Sequence, residues 1–154
     1  MSPYVYEKMS LARELYLEGY NCAQSVFGAF AEDLGLDFDT AIKYSSAFGG
    51  GMGRLREVCG AVSGMFMVLS VKEGYTSPTA NDEKMELYKK VQDLAEEFKA
   101  KNGGTIICRE LLENVSTTKG HIPEDRTPEY YKTRPCAKFV GDAAEIMENY
   151  LNKN

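Results

Sequence analysis

Four cysteines, Cys22, Cys59, Cys108 and Cys136, are the residues of this chain best suited to chemistry. Thiolates are the nucleophiles of thiol–disulfide exchange and soft ligands for zinc and iron–sulfur clusters. No two lie closer in the sequence than Cys108 and Cys136, so there is no C-x-x-C pair. Zinc ribbons and ferredoxin-type sites usually draw their ligands as local pairs, and thioredoxin-type chemistry uses one such pair. Spacing alone therefore names no metal, and only the tertiary fold could assemble a joint site.

The local contexts say more. Each cysteine falls at or near an expected helix start: Asn21-Cys22, Val58-Cys59-Gly60, Ile107-Cys108 and Pro135-Cys136. Proline favours the first helical position, which puts Cys136 in a first turn. Free N–H groups and the positive helix end lower a thiol's pKa. Arg56, Arg109 and Arg134 stand close in sequence to three of the cysteines and could offset thiolate charge, although Arg56 reads as an ordinary surface arginine. The plainer alternative is that each cysteine is a small apolar core residue. Four cysteines at four helix starts make that less satisfactory as a joint explanation.

Other motifs weigh less. His121, the only histidine, lies in a polar loop and reads as solvated rather than as a ligand. The segment FGGGMGR lacks the Lys-Ser/Thr of a phosphate loop. It is a tight turn, or a place where backbone N–H groups approach an anion or cluster. Met52, Met65 and Met67 read as core filling. Tyr130 and Tyr131 either cover the site or pack its loop down.

The elements that must position these residues are helical. Met9, Ala12, Leu15 and Tyr16 form one stripe over 5–18, ended by Gly19. Asn21 caps a second helix running to about Leu34, with Val26, Phe27, Phe30 and Leu34 inward. A shorter helix starts at 37–39 and passes Ala41, Ile42 and Ser45. Residues 58–72 are apolar on nearly all sides and read as the central, buried helix. Gly60 and Gly64 share one face of it and lower its propensity, so a backbone or cofactor must pack closely there. A long amphipathic helix runs from 81 or 82 to about 102, with Met85, Tyr88, Val91, Leu94, Ala95 and Phe98 inward, and Gly103–Gly104 stop it. A short helix over 108–113, a polar irregular stretch over 114–134 and a last helix over 136–151 complete the chain. No strand pattern is evident. The expected fold is all-α: residues 1–154 as one compact bundle of about six helices, with a Gly-rich loop and one long irregular loop.

With 154 residues the chain can bury a core without disulfide staples. No apolar run is long enough to span a membrane, and the N-terminus lacks a secretory pattern. The expected compartment is therefore the reducing cytoplasm, where cysteines serve metals or redox work more than structural disulfides. A net charge of -5 with no basic tail speaks against nucleic acid as a partner.

Taken together, GYNCAQSV, GGGMGRLREVCGAVSG, ICRELL and RPCAKFVGDAAEIM resemble, in order and over nearly the whole chain, the C_GCAxxG_C_C family of redox-active proteins. The resemblance implies a small helical protein that is redox-active through these cysteines. The family is similar to a domain of split-Soret cytochromes, where an iron–sulfur cluster accompanies the haems. This chain has no C-x-x-C-H haem attachment, so only the cluster half of that likeness could carry over. The leading expectation is a [2Fe–2S] cluster held by Cys22, Cys59, Cys108 and Cys136 and used for electron transfer with a donor or acceptor protein. Gly60 would leave room for it, and Arg109 and Arg134 would offset its charge. An exposed cluster edge could lie at a homodimer interface. Two alternatives stay open. One is a metal-free thiol–disulfide protein, an oxidoreductase, in which the same four cysteines are the catalytic residues. The other is a structural four-cysteine zinc module. Every reading that joins the cysteines expects the four sulfurs to face one cavity, with Gly60 beside them and the 114–134 loop near its mouth.

Overall fold

The computed structural model describes residues 3–153, with side chains from residue 7 onward. The protein is all-α. Six helices have eight or more residues: α1 (Pro3–Leu17), α2 (Cys22–Ala29), α3 (Phe38–Ser45), α5 (Gly60–Glu73), α6 (Asn81–Lys101) and α9 (Cys136–Lys153). Shorter turns, α4 (Gly49–Met52), α7 (Cys108–Leu111) and α8 (Pro128–Thr133), sit between them. Among the described residues the extended pairing is a single antiparallel bridge, Val58 with Ile107. No helix of the described residues is long and apolar enough to cross a membrane.

Two helix pairs make the frame: α1 runs along α9, and α2 runs along α5. The core between them holds Tyr16, Phe27, Phe30, Met65, Leu69, Phe98 and Met147, all essentially fully buried. Each such side chain contributes about 1.5–3 kcal/mol relative to an exposed one. α5 is buried over most of its circumference, as its uninterrupted apolar sequence requires. Its two glycines carry the contact with α2. A Cβ at Gly64 would lie 2.8 Å from the Ala23 carbonyl oxygen, and one at Gly60 would lie 3.0 Å from the Ala23 nitrogen. Backbone of Ala23 and the Cβ atoms of Cys22 and Val26, all from α2, crowd the space that these glycines leave, with the Phe48 carbonyl also beside Gly60.

Three expectations change. Met85 and Tyr88 are exposed at 66% and 51%. The first turns of α6 present Leu87 to the core instead, and the Tyr88 side chain points outward, its hydroxyl 2.9 Å from that of Tyr75. The second helix stops at Ala29, and turns carry the chain through Leu34 to Gly35. The stretch 114–134 is not irregular throughout. Thr127 caps α8 by accepting from the Tyr130 N–H, with Pro128 in the first turn.

The α2–α5 contact yields a sign test. By helix propensity alone, Gly64→Ala should stabilise α5 by about 1 kcal/mol. The steric conflict with the Ala23 carbonyl reverses this, and we expect a net loss of about 1–3 kcal/mol, read from the urea midpoint. A rise in the midpoint would show that α2 does not lie so close.

Candidate functional site

All four cysteines start helices. Cys22, Cys108 and Cys136 open α2, α7 and α9, and Cys59 is the residue before α5. Local chemistry fixes each start. The Asn21 side chain accepts from the Gln24 N–H at 2.9 Å, and the Gln24 side chain accepts from the Asn21 N–H at 3.0 Å. This reciprocal cap is worth about 1 kcal/mol. Asn21 also donates to the Ser46 carbonyl at 3.1 Å, which ties Cys22 to the turn after α3. The lone bridge joins the next two cysteines. The Cys59 N–H donates to the Ile106 carbonyl at 2.8 Å, and the Cys108 N–H donates to the Glu57 carbonyl at 2.6 Å.

Between these starts the chain makes an unusual turn. Gly50, Gly51, Met52, Gly53 and Arg54 all have φ between 60° and 70°, and Arg56 has φ 61°. It is a left-handed turn, closed by the Arg56 N–H on the Gly50 carbonyl at 3.3 Å and the Glu57 N–H on the Gly51 carbonyl at 2.9 Å. Glycine adopts this conformation freely, whereas Met52, Arg54 and Arg56 each lose about 1–2 kcal/mol by it. Gly51 has a second constraint, because a Cβ there would lie 2.6 Å from the Cys108 Cβ.

The result is one cavity of about 50 Å³ whose wall includes Cys22, Cys59, Cys108 and Cys136. Cys59, Cys108 and Cys136 are buried, and Cys22 is partly so. Gly60, Arg134 and the tyrosine Tyr130 line it, as does Tyr16 from α1. The 114–134 loop thus closes one side. The sulfurs do not converge on a point. No group of three or more His, Cys, Asp or Glu side chains among the described residues is placed to hold a single metal ion. Each sulfur is fixed to its own helix start, so the four spread over the wall.

The charged surroundings differ from expectation. Arg109 is not in the wall; it pairs outward with Glu57 at 3.0 Å. Arg56, which the sequence presented as a surface residue, places a guanidinium nitrogen 3.8 Å from the Cys108 sulfur. Arg126 was not singled out at all, yet it lines the cavity, stacked over the Tyr16 ring with 4.5 Å to the centroid. Its N–H groups donate to the Tyr16 and Tyr20 carbonyls at 3.1 and 3.0 Å. No cysteine lies near Arg126 in the sequence, so proximity along the chain could not reveal it. His121 is exposed and lies outside this cavity. Tyr131 packs the loop down, its ring edge-on to Tyr16 and its hydroxyl donating to the Leu17 carbonyl at 3.3 Å.

These neighbours split the four thiols. The Cys136 thiol is lowered to about 6, chiefly by the hydrogen bond from Cys22, helped by the Tyr16 hydroxyl and the charges of Arg134 and Arg126 against the effect of burial. Cys22 is raised because it gives that hydrogen bond and is buried among the other sulfurs. Burial pushes Cys59 up to about 12, although the N–H groups of Ala61 and Val62 work against it. Cys108 is raised by burial, and Arg56 opposes the shift. Without metal the site holds one thiolate and three thiols at neutral pH.

The structure is that of an all-α protein whose four cysteines line one cavity. The family model "Putative redox-active protein (C_GCAxxG_C_C)" matches residues 20–150. The chain belongs to that family. No curated protein and no solved structure matches it at a significant level.

A pH dependence follows for the reduced, metal-free protein. Cys136 ionises near 6 when folded and in the ordinary thiol range, near 9.0, when unfolded. Between these values the unfolded chain binds more protons, so stability rises with pH; the contribution is complete above the unfolded value and lost as pH falls through the folded one. Cys59, raised to about 12, acts oppositely, lowering stability above the ordinary value of 9.0. We expect the urea midpoint under reductant to climb from pH 6 toward 9 and then to fall, and Cys136→Ser to flatten the climb. A midpoint that does not change between these values would contradict the assignment.

Proposed function

We propose that Cys22, Cys59, Cys108 and Cys136 hold a [2Fe–2S] cluster and that the protein carries electrons to or from a partner protein. The observation that carries this reading is four thiols and three guanidinium groups, those of Arg56, Arg126 and Arg134, around one small cavity. Four apolar core cysteines would need no such cations, whereas four thiolates brought together would. The cavity, at about 50 Å³, is larger than the roughly 10–15 Å³ that one water needs. Each iron of such a cluster takes two thiolates, so two pairs are needed and not a group of three around one ion. Glycines make the room, because a Cβ at Gly60 would lie 3.1 Å from the Cys22 Cβ.

Bound there, the cluster would supply one-electron redox chemistry. The chain's own residues do the rest. Cys136 is already a thiolate and is the first ligand ready. Cys22, Cys59 and Cys108 must lose protons on loading, which makes loading favourable at higher pH. Arg56, Arg126 and Arg134 offset the charge that then accumulates. Tyr16 and Tyr130 cover part of the cavity wall.

A second reading rests on the Cys22–Cys136 pair. A low-pKa thiolate accepting a hydrogen bond from a neighbouring thiol is the arrangement of a thiol–disulfide oxidoreductase. Oxidation would join the two sulfurs and pass two electrons, with the one proton that the thiol–thiolate pair carries, to a disulfide or quinone-type acceptor. A structural zinc site is the least favoured, since its four sulfurs would have to close on one ion.

The test is anaerobic isolation followed by metal, sulfide and thiol analysis. We expect about two iron and two sulfide per chain, with serine at any one of the four cysteine positions lowering both sharply. A protein that stays iron-free through anaerobic reconstitution, and whose thiol titre alternates between four and two, would overturn the cluster in favour of the thiol pair.

A further inference from the structure

Outside the cysteine cavity lies a wider opening of about 280 Å³. The two share Arg56, Arg126, Arg134 and Tyr130, so the outer space is an antechamber to the inner one. Of these two spaces, Arg54 lines only the outer one. Four guanidinium groups thus meet in one concavity with a single carboxylate, that of Glu124. The chain as a whole carries -5, so this concentration of positive charge runs against its composition.

The partners of these cations leave charge to spare. Glu124 pairs directly with Arg134 and lies 3.6 Å from both Arg54 and Arg56. Arg54 spends its hydrogen bonds on neutral acceptors, the Gly120 carbonyl at 3.0 Å and the Thr118 hydroxyl at 2.7 Å among them. Arg126 likewise faces carbonyls and tyrosine rings. One carboxylate serves three guanidinium groups, and a fourth has none. The side chains of Arg54, Arg56 and Arg134 are only 12%, 17% and 3% exposed. Cations withdrawn into a concavity suit a small ligand better than the flat face of a protein partner. Arg54 and Arg56 are also two of the three non-glycine residues with positive φ among the described residues, so backbone strain is spent on aiming them at one place.

We infer that this antechamber binds a small dianionic oxyanion, which takes the place of the Glu124 carboxylate among Arg54, Arg56 and Arg134. Guanidinium forks match carboxylate and tetrahedral oxyanions through paired N–H donors. Glu124 is the built-in competitor: it occupies the position when the ligand is absent and must swing away on the loop that carries it. The ligand would then sit beside Arg56, itself against the Cys108 sulfur, at the entrance to the four thiols. The inference concerns the outer space and needs no cluster, although Arg56, Arg126 and Arg134 also face the cysteine cavity and would share their charge with one.

Calorimetric titration of the full chain with sulfate and with malonate tests it, with iron content measured first and chloride used to hold ionic strength constant. We expect saturable one-to-one binding of at least one of them, and the stronger of the two identifies the ligand as an inorganic oxyanion or a dicarboxylate. Arg54→Gln should weaken binding by about ten-fold or more, as loss of a charged hydrogen-bond donor does. Glu124→Gln should strengthen it by several-fold, because the competing charge is gone while the side-chain volume remains. Both variants should keep the iron content of the parent. Arg54 also braces the loop, so if Arg54→Gln does not fold, the Glu124→Gln gain decides. Binding no stronger than chloride's, an unchanged or weaker affinity in Glu124→Gln, or loss of iron in a folded Arg54→Gln would each overturn the inference. The last result would assign these cations to the cysteine cavity instead.

Discussion

The start of α2 packs its backbone directly against the face of α5. Gly60 and Gly64 let the α2 backbone come within contact of α5 at Ala23, and that approach sets Cys22 beside the residue that opens α5. A methyl group at either position would have to push the helices apart and the sulfurs with them. The remaining cysteines are attached to this junction by equally short links. The bridge of Val58 with Ile107 ties Cys108 to Cys59 through two backbone hydrogen bonds. α9 lies against both α2 and α5 and brings Cys136. Four residues distant in the sequence come to line one cavity because two close backbone contacts and the packing of α9 hold their helix starts together.

The left-handed turn over 50–54 is the second half of the design. A right-handed turn there would carry the arginines away from the sulfurs. The reversed hand returns the chain on itself, so that Gly51 clears Cys108 and Arg56 reaches its sulfur. Strain in Met52, Arg54 and Arg56 is tolerated because packing on both sides determines the path. Folding stability is given up locally to place charge where buried thiols can be ionised.

Electrostatics then differentiates residues that are chemically identical. Burial alone would keep all four thiols protonated. Cys136 escapes because a thiol, a phenol and two guanidinium groups face it at once, whereas Cys59 has only backbone N–H groups against its desolvation. The asymmetry suits either redox reading. It prepares one ligand before the others, or it supplies one nucleophile beside its partner.

Much of this was legible in the chain. Capping residues and apolar periodicity mark the helix starts, so Asn21, Pro135 and the apolar run after Cys59 place the cysteines correctly. The pair Gly60 and Gly64 announces a close approach, because nothing else excuses two glycines in a buried helix. Such signals are local: they depend on residues within a turn or two of one another. Which arginines face the sulfurs is not local. Arg109 follows Cys108 directly, yet the helical rotation of α7 turns it toward Glu57, while Arg126 arrives from a loop with no cysteine nearby. Met85 and Tyr88 continue an apolar stripe but lie on the outer face of α6, which meets the core with Leu87 instead. The sequence by itself determined helix starts, thiols and close contacts, since hydrogen bonding and sterics within a few residues decide these. The shared cavity, its cations and the separate acidities of four like thiols belong to the tertiary structure alone, because Coulomb interactions and desolvation depend on distance through space and not along the chain.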